Sequence, residues 1–152
     1  MRVTLADGMT AVPHELVTIN TGGSTGELYF KATSVSSSVD TDFYIYYDNP
    51  STRMINGADD LGFQRVWSNN YVAVYHMQQL PGNGNAKLWD STEFRNHGIP
   101  NGSMTNTDLQ AGKLGSALDF DGSNDYLQIV SSTSLNSATG LGQPRTVSYW
   151  LN

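Results

Sequence analysis

Asp119, Asp121, Asn124 and Asp125 gather four oxygen-bearing side chains around Gly122. Hard cations such as Ca²⁺ take six to eight oxygen ligands, and carboxylates beside a glycine turn can supply some of them. The EF-hand spacing is not met, because no Glu stands at the closing position. Asp and Asn are also the residues that shape and solvate turns, and that is the commoner reason to find them here. A second group is aromatic. The flat apolar face of Trp89 or Tyr126 matches the C–H face of a pyranose ring, which makes these two the candidate ligand-binding residues. Tyr44, Tyr46, Trp67 and Trp150 carry the same chemistry, but aromatics in strands more often pack across the sheet. Trp150 in particular is expected in the core, and Tyr46 and Tyr47 are expected to point to opposite faces.

Other chemistries find little to work with. His14, His76 and His97 are dispersed and show no metal-ligand spacing. A Ser–His–Asp triad has no Gly-x-Ser-x-Gly elbow to build on. Glycoside hydrolysis needs two carboxylates flanking the bond. The only glutamates are Glu15, Glu27 and Glu93, and none begins a Glu-x-Asp-x-x-Glu pattern. Gly112-Lys113 lacks the upstream glycine and following Ser or Thr of a phosphate loop. The expected protein is therefore not an enzyme.

The chain has 152 residues, with 8 Lys plus Arg against 14 Asp plus Glu, a formal charge of -6. That balance argues against nucleic acid, whose phosphates demand a basic patch. Charged residues are only 14%, so the polar surface must come from Ser, Thr, Asn and Gly. Cysteine is absent, which excludes disulfides, thiolate metal sites and a Cys nucleophile. No apolar run approaches the ~20 residues that cross a bilayer, so no membrane insertion is expected. Residues 1–8 read as a strand and turn, without the apolar stretch of a signal peptide.

The elements that must position these residues read as all-β. Runs rich in Val, Ile, Tyr, Phe and Thr, broken by Gly, Asn, Asp and Ser clusters, predict strands at 2–5, 14–19, 27–32 and 42–47. Residues 52–63 lose the pattern and predict a loop or one helical turn. Strands resume at 71–77 and 87–90, then 116–121 and 125–130 as a hairpin across Gly122-Ser123-Asn124, and finally 145–151. No stretch combines helical periodicity with caps over ten or more residues. The composition change near residues 65–70 divides the chain into modules at 1–64 and 65–152.

Several short signatures stand in order in the second module: a strand ending at His76, Asp90-Ser91, Asn96-His97-Gly98, Gly112-Lys113-Leu114-Gly115-Ser116-Ala117-Leu118, Phe120-Asp121-Gly122, Asp125-Tyr126, and a strand carrying Trp150. Together they resemble the concanavalin A-like lectin/glucanase superfamily, in particular its laminin G-like (LamG) modules. Residues 92–95 form an insert relative to that pattern. In the first module, residues 26–32 and 41–50 resemble an uncharacterised β-sandwich domain of the DUF class that commonly precedes a LamG module, with Asp48 in place of a glycine.

The resemblance implies an antiparallel β-sandwich of jelly-roll type in two partial modules. It implies a non-catalytic segment that binds glycan or a surface protein at the cell surface, outside the cell or on a phage particle, with Ca²⁺ ordering a loop. Two other readings stand beside it: a structural subunit of an appendage without its own ligand, and a piece of a glycan-acting enzyme whose catalytic residues lie elsewhere. A partial sandwich leaves unpaired strand edges, so self-association through them is expected.

Overall fold

The computed structural model describes residues 1–49, 55–82, 86–140 and 142–151. Two compact units divide between Asn69 and Asn70. Among the described residues both are predominantly β, with small sheets of two or three strands and two short helices.

In the first unit, β1 (Arg2–Leu5) lies between β2 (Ala11–Val12) and β5 (Phe43–Tyr46), all antiparallel. The β1–β2 reversal is fixed by Asp7, whose carboxylate accepts from the N–H groups of Met9 and Thr10 and from the Thr10 hydroxyl. These three donors hold its carboxyl below the ordinary value. Strands β3 (His14–Asn20) and β4 (Thr25–Phe30) form a hairpin with a register shift between Leu16 and Thr18. At its turn Asn20 Oδ1 accepts from Gly23 N–H at 3.0 Å.

The core of this unit is narrow. Val3 is fully buried and Val12 nearly so, and each such side chain contributes roughly 1.5–3 kcal/mol. Tilted ring pairs extend it: Phe30 on Phe43 at 4.8 Å, and Tyr29 on Trp67 at 5.2 Å. Trp67 follows α1 (Phe63–Val66), which packs on β3, and its indole N–H donates to Glu15 Oε2 at 2.5 Å. Burial and the Glu27 carboxylate push the Tyr29 phenol up to about 12. Tyr46 and Tyr47 do not split between faces as expected; both are exposed.

In the second unit, β6 (Gly98–Asn101) pairs with β9 (Tyr126–Ile129), and β7 (Leu109–Ala111) pairs with β8 (Ser116–Leu118). A 3-10 turn at Asn106–Asp108 leads into β7, closed by a capping box between Thr105 and Asp108. Helix α2 (Thr133–Thr139) follows β9, its first turn capped by the Ser132 hydroxyl, which accepts from Leu135 N–H. The sequence reading contained no such helix.

Three expectations are corrected here. The 116–121 and 125–130 runs are not a hairpin; β8 turns back on β7 and β9 goes to β6. The 71–77 and 87–90 runs reduce to isolated bridges, Tyr75 with Asp90 and Leu88 with Gly98. Residues 145–151 form no strand, and Trp150 is 77% exposed rather than in the core. The second correction has a specific cause. Val74 N–H donates to Asp90 Oδ1, while Val72 C=O accepts from Asn96 Nδ2 and Thr92 Oγ1. Side chains thus occupy the backbone groups that a neighbouring strand would use.

Candidate functional site

A buried polar centre of the second unit forms around Asp90, 2% exposed. Its Oδ1 accepts from the N–H groups of Val74 and Thr92, both at 2.9 Å. Its Oδ2 accepts from the Thr92 hydroxyl at 2.8 Å and Asn96 N–H at 2.7 Å. Asn96 carries the network outward, its amide meeting Ser132 and Ser134 beside α2. The Tyr75 hydroxyl donates to the Asn96 carbonyl, and burial foremost raises its phenol well above the ordinary range. Every oxygen of this centre is engaged, so the chemistry it performs is structural: it ties three segments together where no sheet does.

His97 is fixed by the same centre. Its Nδ1 accepts from Asp90 N–H at 3.0 Å, which places the ring proton on Nε2. A catalytic triad instead directs Nδ1–H at a carboxylate. Burial holds the imidazole below its ordinary value of 6.5, against the opposing pull of the Asp90 carboxylate. A base whose folded value is lowered stabilises the fold fully above its unfolded value, and that contribution is lost as pH falls. We therefore expect the His97 imidazole to show an NMR titration midpoint below 6.5. Unit-two stability should decline as pH drops below about 6.5, and His97→Gln should flatten that decline. A midpoint at or above 6.5 contradicts this arrangement.

Trp89 stands next to this centre, 59% exposed, with its ring tilted against His97 at 5.3 Å. Its backbone N–H donates to Gln79 Oε1 at 3.1 Å. Tyr126, the other aromatic candidate, is 54% exposed at the start of β9, paired with Asn101 at the far end of β6. Trp89 follows Leu88, which bridges Gly98 at the near end, so about three residues, or ~10 Å of strand, separate the two attachment points.

The candidate oxygen cluster is partly assembled. Asp121 Oδ1 accepts from the N–H groups of Ser123, Asn124 and Asp125. These bonds hold the exposed Asp121 carboxyl below its ordinary value. Asp121 Oδ2, Asn124 Oδ1 and Asp125 Oδ1 converge on the Ser103 hydroxyl at 3.2, 2.8 and 3.1 Å. Asp119 shares no hydrogen bond with Ser103; its backbone N–H donates to the Asp108 carbonyl. Two carboxylates and one amide are oxygen donors of the kind a hard cation takes, but they fall short of six, and they already surround the Ser103 hydroxyl and N–H as hydrogen-bond acceptors. No group of three or more His, Cys, Asp or Glu positioned for a metal occurs among the described residues.

Two residues that organise the site escaped the sequence reading. Thr92, taken as part of an insert, is 1% exposed and caps Asp90. Its signal was the Asp-x-Thr spacing of a side-chain-closed turn. Ser103 carried no local signal, since its partners lie about twenty residues onward. No family model, no curated protein and no solved structure matches this chain.

Proposed function

We propose that this chain is a β-sandwich binding segment of jelly-roll type, similar to the LamG modules of the concanavalin A-like superfamily. In this reading it attaches to glycan or a surface protein outside the cell or on a phage particle, and it performs no turnover. The observation that carries the reading is Trp89: a large ring, 59% exposed, held on one side by His97 and at its backbone by Gln79. A fixed apolar face offers stacking area at little cost in side-chain entropy. The Asp90 centre supports binding over catalysis, because its carboxylate is spent on four internal donors. Calcium enters this reading only by displacing the Ser103 hydroxyl from Asp121, Asn124 and Asp125, which would tighten the Gly122 turn.

A glycan array probed with the full chain, with Ca²⁺ and with EDTA, tests the proposal. Binding is expected, and Trp89→Ala should weaken it about tenfold, or ~1.4 kcal/mol, with the circular dichroism spectrum unchanged. Equal signal in EDTA removes calcium from the reading. Absence of binding under both conditions favours the appendage-subunit reading, and release of sugar from polysaccharide by the chain overturns the non-enzymatic one.

A further inference from the structure

Among the described residues, strand β9 has one partner, β6. Gly98 both donates to and accepts from Leu88, so its N–H and C=O point away from β9. Antiparallel pairs alternate between bonded and non-bonded. With Gly98 opposite Ile129 and Pro100 opposite Leu127, the bonded pairs are Ile99 with Gln128 and Asn101 with Tyr126. The backbone groups of Leu127 and Ile129 therefore face outward, and among the described residues nothing meets them. Pro100, which has no N–H to give, sits where none is needed. The exposed edge carries no charge, and Val130 just beyond it is also exposed, so the usual guards against edge pairing are missing.

The same unit holds an unpaired segment suited to that edge. Residues 146–151 belong to no helix or strand and make no ladder bonds among the described residues. Val147, Tyr149, Trp150 and Leu151 are 75%, 68%, 77% and 83% exposed. Their β-branched and aromatic side chains favour a strand. Among the described residues, this segment and the β9 edge have no strand partner.

We infer that residues 146–151 of one copy add as a strand to the open β9 edge of a second copy, and that the exchange is reciprocal. A two-fold pairing satisfies the outward groups of Leu127 and Ile129 in both copies and closes the assembly instead of propagating it. At ~150–250 Å² per aromatic ring, the four donor rings of such a dimer bring several hundred Å². Val147, Leu151 and the receiving strands carry it past the ~1,000 Å² expected of a specific interface.

Light scattering on the full chain across a concentration series tests this directly. A dimer is expected. Ser148→Pro, which breaks the donated strand, and Ile129→Lys, which charges the receiving edge, should each raise its dissociation constant at least tenfold without altering circular dichroism. Mixing the two variants should restore a heterodimer, because one intact strand then meets one intact edge. A monomer at every concentration overturns the proposal, as does a dimer indifferent to both variants. Protection of the Leu127 and Ile129 amides in a monomer also overturns it, since the chain would then cover its own edge.

Discussion

Asp90→Ala is expected to cost the second unit about 4 kcal/mol, since it removes the shared acceptor of several buried donors. The substitution strands the N–H groups of Val74, Thr92 and Asn96, all donors to Asp90, in a site where Asp90 is 2% exposed. A buried donor left without an acceptor costs roughly 1–3 kcal/mol. Small units have only ~0.05–0.15 kcal/mol per residue in total, so the variant should be largely unfolded at mild urea concentrations. Amide exchange at Val74, Thr92 and Asn96 reports the loss directly. Asp90→Asn keeps the shape but presents an NH₂ to donors, and should fall between alanine and wild type. A loss below about 1 kcal/mol for alanine, the worth of a single ordinary hydrogen bond, would mean that the segments around Asp90 are held by something else.

Gly102→Ala should be the next most damaging change. Gly102 has φ +86°, and a Cβ there would overlap the Asn124 carbonyl oxygen and lie 2.9 Å from Asp125 Cα. Strain at such a backbone position costs about 1–3 kcal/mol, and the collision with backbone rather than a movable side chain adds to it. The expected total is about 2–4 kcal/mol, with loss of exchange protection at Ser103 N–H, which donates to Asn124 and Asp125. Gly122→Ala is the control. Its φ is +70° but nothing lies within 4 Å, so only the left-handed cost of about 1–2 kcal/mol applies. Equal urea midpoints for the two variants would refute the close packing of the Gly102 and Gly122 turns.

Local pattern was enough to announce β structure throughout, because Val, Ile, Tyr, Phe and Thr prefer the extended backbone wherever they sit. It placed β1, β3, β4 and β5 within a residue or two, and it marked Gly122-Ser123-Asn124 as a turn. Turn chemistry is written in adjacent residues: the Asp121 carboxylate takes N–H groups only two to four residues ahead. Partner choice is not written that way. That β9 pairs with β6, across a gap that includes β7 and β8, depends on where those strands find cover. The short helix α2 was hidden for a related reason, since seven residues rich in Ser and Thr carry little helical preference. Its capping residue Ser132 is also held by Asn96, far earlier in the chain.

The amino-acid sequence alone determined the β class, individual turns and the pool of oxygen and aromatic side chains, all of which follow from short-range preference. Tertiary structure decided which of them meet. Asp90, unremarkable beside thirteen other acidic residues in the composition, became the buried hub because Val74, Thr92 and Asn96 bring their N–H groups to it. Asp119 was left aside while Ser103 joined the Gly122 turn. The physical reason is that a buried polar group is stable only when all its partners arrive at once, and that condition is set by the path of the whole chain.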